Sequence, residues 1–112
     1  MDCLFCNIAN KTIPAQVVCE TNQVMVIHDI APKAKVHLLA IPKQHLVTLN
    51  DLTPANQSIM GELALAIQQA VQQLGIAESG YKVIINNGVH GGQMVPHLHC
   101  HVLGGEKVKG IT

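Results

Sequence analysis

Tryptophan is absent from this chain of 112 residues, and Phe5 and Tyr81 are its only phenyl-type aromatics. Proteins that hold single-stranded nucleic acid without sequence preference stack bases on aromatic platforms along a positive groove. Here seven basic side chains are balanced by seven acidic ones, so no nucleic-acid partner is expected. No apolar run reaches the roughly twenty residues a membrane helix needs. The first residues show neither the charged start nor the apolar middle of an export signal. No membrane association is therefore expected, and the cytoplasm is the expected location. Without an export signal, Cys3, Cys6, Cys19 and Cys100 read as thiols or metal ligands rather than a disulfide framework.

What remains is 48% apolar, enough for one modest core in one domain spanning residues 1–112, with a second copy able to cover more surface. A short helix is predicted from Asp2 to about Lys11, capped by Asp2 and ended at Ile13-Pro14. Val17 to Glu20 and Val24 to His28 read as a hairpin about Thr21-Asn22-Gln23. Val36 to Ile41 reads as a third strand stopped at Pro42, which has no N–H to continue a ladder. Thr53 and Pro54 look like the cap and first residue of a long helix. Ile59, Leu63, Ile67, Val71 and Leu74 give it an apolar stripe before Gly75. Lys82 to Asn86 and His97 to Leu103 are the fourth and fifth strands. The expected fold is α+β, an antiparallel sheet of five strands with one long and one short helix.

The chemistry is concentrated in His97-Leu98-His99-Cys100-His101. Alternation along a strand sends the three imidazoles to one face and Leu98, Cys100 and Val102 to the other. A row of polar rings is poor packing material, because each costs free energy to bury without a partner. Neutral imidazole is a competent nucleophile, and neighbouring rings can set its tautomer or carry a proton. His99, flanked on both sides, is the expected nucleophile. Asn86 and the loop Gly88-Val89-His90-Gly91-Gly92-Gln93 lead into this segment, and successive free N–H groups there would form an anion-binding concavity. A phosphoryl centre attacked by a ring nitrogen suits the set.

Several of these residues have plainer readings. Asp29 could cap a turn before Pro32, and Asn86 could close a strand end through a backbone bond. His37, among aliphatics, could be a core histidine. His28 and His90 carry no assigned role. Met25 and Met60 read as packing residues, with Met94 at the mouth of the site, and Cys19 and Cys100 as buried thiols.

Taken with Asp2 to Ile8, Ile13-Pro14-Ala15, His28-Asp29-Ile30, His37 to Lys43, Asn86 and Gly91-Gly92-Gln93, the His-x-His-x-His run resembles the histidine triad (HIT) family, in particular its Hint branch. The resemblance implies hydrolysis of purine nucleoside phosphoramidates, or related nucleoside monophosphate conjugates, through a nucleotidyl-histidine. It implies His99 as nucleophile with His101 and His37 ordering the protons. It further implies contact with a purine nucleotide such as AMP or GMP by Asp29, Ile30, Asn86, Gly92, Gln93, Met94, His99 and His101. Asp29 would hold the ribose hydroxyls, and the sheets of a homodimer would join. Met94 stands where the branch has serine, and the tail Glu106 to Thr112 has no tryptophan.

Cys3-x-x-Cys6 has the spacing of half a structural zinc site, which His45 and His97 could complete; metal-free pairs at this spacing also occur. No cofactor is required for catalysis on this reading. Three alternatives stand beside it: dinucleoside polyphosphate hydrolysis, a non-catalytic nucleotide-binding or scaffold protein, and a catalytic metal held by the three histidines.

Overall fold

The computed structural model describes residues 3–110. The expected cap at Asp2 lies outside them. Cys3 is the cap instead: its Sγ accepts the Cys6 N–H at 3.4 Å, opening helix α1 over Leu4–Ala9. Strands β1 (Val17–Glu20) and β2 (Val24–His28) form the expected hairpin. Thr21 Oγ1 accepts the N–H groups of Gln23 and Val24 at 3.2 and 3.1 Å across its turn.

Strand β3 runs Val36–Pro42, one residue past the expected stop. Pro42 closes the ladder opposite Val24, where a missing donor costs little at a strand end. A 3-10 turn at Leu49–Asp51, which the sequence reading did not include, is capped by Thr48 and Asp51 side chains exchanging bonds with backbone.

The long helix, α2, spans Ser58–Gln73 rather than starting at Pro54. Residues 54–57 form a turn in which the Asn56 side chain takes the Thr53 N–H at 2.7 Å and Thr53 Oγ1 takes that of Ala55 at 3.2 Å. These side-chain bonds satisfy the backbone locally and delay the helix. Strand β4 is Tyr81–Ile84, ending before Asn86, and β5 is Cys100–Gly104. His97 and His99 therefore precede the regular strand instead of lying in it.

All strand pairs are antiparallel, in the order β1-β2-β3-β5-β4. Alternation sorts the sheet into two faces. Val24, Val26, Leu38, Ala40, Cys100 and Val102 pack with Ile59, Leu63, Ala66, Ile67, Ala70 and Val71 of α2. Met25, Ile27, Leu39 and Ile41 pack with Phe5 and Ile8 of α1. Each fully buried aliphatic contributes roughly 1.5–3 kcal/mol, so the broad α2 layer carries most of the stability. The smaller α1 layer leaves the rest of its sheet face open, and the functional groups occupy that space.

Candidate active site and the adjoining cysteine–histidine cluster

Register brings His37 and His101 together. Leu39 pairs with His101 and His37 with Leu103, so the two histidines are diagonal neighbours on the α1 face, close enough for long side chains to meet. The Nε2 of His37 lies 2.9 Å from the Nδ1 of His101. The Lys33 backbone N–H donates to His37 Nδ1 at 3.0 Å. That nitrogen must hold a lone pair, so the His37 proton sits on Nε2 and is donated to His101 Nδ1. The remaining proton of neutral His101 is then on its Nε2.

His99 is fixed by the same logic. Its Nδ1 is 2.7 Å from the carbonyl oxygen of His97, which can only accept, so Nδ1 carries the proton and Nε2 the lone pair. The Phe5 ring packs edgewise on His99 with centroids 5.0 Å apart, and the His101 ring lies 4.9 Å from it on another side. His99 is 4% exposed and His97 fully buried. The expected surface row of rings is thus corrected: α1 covers two of them, and Phe5 supplies the cover. Side-chain alternation nonetheless persists ahead of the strand, with Leu98 in the α2 core and its N–H bonded to Leu46 O at 2.6 Å.

Burial holds the His37 imidazole below the usual histidine range, opposed by the nearby Asp29 carboxylate and reinforced by Lys33. The same burial lowers His101, helped by the His99 and His37 rings and opposed by Asp29. Both therefore favour the neutral form that the hydrogen-bond pattern requires.

These groups line a cleft of about 410 Å³ together with Phe5, Asp29, Lys33, Asn86, Gly92 and Met94. Among the sequence-expected residues, His37, His99, His101, Asp29, Asn86, Gly92 and Met94 converge here. Asp29 makes the expected turn, with Oδ1 taking the Ala31 N–H at 2.8 Å, while Oδ2 faces His37 Nε2 at 3.4 Å. Asn86 Nδ2 donates to Gly91 O at 2.7 Å, leaving its carbonyl as the uncommitted end of the side chain. Met94 stands on the rim, 89% exposed.

Gln93 and Ile30 do not line this cleft. Gln93 is a fastener: its Nε2 donates to Val47 O and Val95 O at 2.7 and 3.0 Å, and its Oε1 takes the Gly88 N–H at 2.8 Å. The expected concavity of free N–H groups is also corrected. The Gly91, Gly92 and Gln93 N–H groups donate to Gly88 O, Val89 O and Gly88 O at 3.2, 3.1 and 3.0 Å, because a loop this tight closes on its own carbonyls. Gly91 is required for that closure, since a Cβ there would come within 2.9 Å of Asn87 N.

A second, apolar cleft of about 340 Å³ adjoins the first, sharing Phe5, Asp29, Leu39 and Val95 and adding Ile13, Pro14, Ile27, His28 and Ile30. Sequence reasoning placed only Asp29 and Ile30 of these in a site. Phe5, Ile27 and Leu39 carry no site signal in the sequence, and only the fold shows that they face a cleft.

His97 points elsewhere. Its Nε2–H donates to Pro42 O at 2.7 Å, which leaves the Nδ1 lone pair aimed at Cys3 Sγ, 3.3 Å away, and Cys6 Sγ, 3.6 Å away. His45 Nδ1 is 3.2 Å from Cys6 Sγ. The four expected donors thus lie within 4.8 Å of one another, and an outer hydrogen bond of the kind that fixes metal-binding histidines is already made. Burial and then the Cys3 thiol raise Cys6 above the usual thiol range, and burial lowers His97. A divalent cation would stabilise the thiolate and use the neutral imidazole, so this donor set fits structural zinc.

The other candidate donor group among the described residues, Asp29, His37 and His101, is committed to its own proton relay. His97, His99 and His101 do not form a donor set together. Cys100, pushed up to about 11 by burial, is an inert core thiol, and half-buried Cys19 donates to Ala66 O at 3.6 Å.

A five-stranded antiparallel sheet with a long helix behind it, and paired histidines fed from the start of its fifth strand, defines a histidine triad protein. The HIT domain family model matches residues 10–108, and the chain belongs to that family. It is 42% identical over 103 residues to the protein HitA of Neisseria gonorrhoeae, covering 92% of this chain and 95% of that one. It is similar to a HIT family hydrolase from Legionella pneumophila, with TM-score 0.91, 40% identity and 95% coverage of both chains. A Zn-bound histidine triad family protein from Mycobacterium smegmatis matches with TM-score 0.80 and 33% identity, over 97% of this chain and 81% of that one.

Proposed function

We propose that the protein hydrolyses purine nucleoside phosphoramidates, or related nucleoside monophosphate conjugates, by double displacement at His99, as in the Hint branch of the family. One observation carries this reading: His99 has a single uncommitted nitrogen, Nε2, in a cleft where a second ring presents an N–H. That pairing suits nucleophilic attack at phosphorus beside a proton donor.

In the first step His99 Nε2 bonds to phosphorus as the bond to the leaving amine breaks. The departing nitrogen takes one proton by way of His101 Nε2, replenished from solvent. In the second step water attacks phosphorus, the bond to His99 Nε2 breaks, and the water's proton returns through His101. Nucleoside monophosphate and amine are released, and both rings regain their starting protonation. The Asn86 carboxamide and Gly92 border the phosphate position. The apolar cleft suits a purine, with Asp29 at the junction where a ribose would lie and Ile30 at its rim. Gln93 supports the site by holding the loop.

Cys3, Cys6, His45 and His97 would hold zinc, which when bound supplies a structural tie with no position left for substrate. No cofactor takes part in the chemistry. Strand β4 is a sheet edge whose Tyr81 and Val83 are 40% and 45% exposed, and unpaired edges invite another strand. A second copy paired there would give the homodimer with one continuous sheet.

Dinucleoside polyphosphate cleavage is less well served, because among the described residues Lys33 is the only lysine or arginine lining the cleft and a long anionic leaving group needs several cations. Turnover of adenosine 5′-phosphoramidate against diadenosine tetraphosphate tests the choice. The first should be preferred by about tenfold or more, equivalent to roughly 1.4 kcal/mol in the barrier. Preference for the second reverses the assignment. Binding of AMP without turnover of either would support the non-catalytic reading.

A further inference from the structure

Besides the His101 ring, two contacts anchor His99, the His97 carbonyl at 2.7 Å and the edge of Phe5 at 5.0 Å between centroids. One anchor belongs to the cysteine–histidine cluster and the other is bracketed by two of its donors. His97 is one of its four donors. Phe5 sits between Cys3 and Cys6 on α1, buried, and touches His97 and His99 with the same ring. Helix α1 has only six residues, far below the length at which a helix persists unaided. Its position depends on Phe5, Ile8 and its cysteine end. Short elements with few buried anchors are the first to open locally.

We propose that the cluster, on taking up zinc, positions the nucleophile: Cys3 and Cys6 fix α1 and with it Phe5, while the tethered His97 ring fixes the carbonyl that sets the His99 tautomer. Phe5 and His97 are then positioning residues that act through His99. Because Phe5 lines both clefts, the same tie shapes the nucleotide-binding surface. The cluster is thereby coupled to a cleft that none of its four donors lines, and by linkage nucleotide and zinc tighten each other.

The test compares metal-stripped protein with protein given one equivalent of zinc at fixed pH, reading the ring nitrogens of His99 by 15N NMR. Zinc should convert a mixed or exchange-broadened His99 signal to a single Nδ1–H tautomer while the methyl signals of the α2 core stay in place. In Cys6→Ser, which removes a donor from the half-exposed side of the cluster, the same change should need at least about tenfold more zinc. AMP affinity, measured by calorimetry, should rise about fivefold or more on zinc loading in the natural chain. It should stay flat in Phe5→Leu, which keeps apolar bulk and still binds zinc.

The ring-nitrogen readout needs no nucleotide and so stands apart from the proposed hydrolase activity; only the AMP arm rests on that reading. Identical His99 signals with and without bound zinc, no zinc uptake, or an unshifted response in Cys6→Ser would overturn the proposal. So would loss of the α2 core signals on stripping, which would make the metal a staple for the whole fold.

Discussion

His99 meets the cleft through one nitrogen because a backbone carbonyl holds the other. His99→Ala removes that nitrogen and should lower turnover by at least about a thousandfold, as expected when a covalent nucleophile is lost. Binding of AMP should persist, and steady-state kinetics with calorimetry check both. Gln93 has a different job. Its amide makes three bonds, two within the 88–95 loop and one tying that loop to Val47, so Gln93→Ala should cost about 1–3 kcal/mol in urea unfolding. Met94, on the open rim, should tolerate Met94→Ser within about 0.5 kcal/mol, with any effect appearing in the choice of leaving group. Alternate spacing and residue type were enough to suggest chemistry at His99 and His101, whereas His37, among aliphatics, entered only through the family resemblance. The hydrogen bonds from the Lys33 N–H and to the His97 and Pro42 carbonyls were not, because backbone groups carry no residue-type signal. The loop bonds of the Gly92 and Gln93 N–H groups were hidden for the same reason: where a loop N–H is spent depends on how the loop closes.

At the level of elements, α2 supplies the main buried layer, and β5 with the segment leading into it presents the histidines on the opposite face. Leu63 is 1% exposed in the α2 core, and Leu63→Ala should cost about 2–5 kcal/mol by the cavity it leaves. Thermal or urea unfolding measures it directly. The five strands and two helices were readable from periodicity and turn residues, and errors fell at ends, where side chains compete with backbone for hydrogen bonds. Asn56 and Thr53 delay α2, Cys3 takes over the start of α1, and β5 begins three residues after His97. The late start of β5 leaves both His97 and His99 ahead of the strand, and the triad divides between two sites because the His97 ring turns toward Cys3 and Cys6. The cysteine spacing hinted at that division, and Pro42 O, holding the His97 ring, enforces it.

For the whole molecule, burial of His37 and His101 links folding to pH. Both are lowered below the ordinary histidine value in the fold, so the unfolded chain binds more protons just below pH 6.5 and stability rises with pH through that window. Stability should be level from about pH 8 to 7 and fall from about pH 6.5 to 5 as these rings are forced to charge. A melting midpoint that is flat across that range contradicts the buried neutral pair. The fold joins a stable layer behind the sheet to a thin one in front of it, and the site lies in the thin one. On the proposed function, what both faces serve is the in-line approach of one ring nitrogen to phosphorus. Its most direct measurement is rapid-quench mass spectrometry during turnover of adenosine 5′-phosphoramidate, with peptide mapping. One adenylyl group on His99, appearing and decaying within a turnover, is the expected result; turnover with no adduct on that residue, or with the adduct on another histidine, contradicts it.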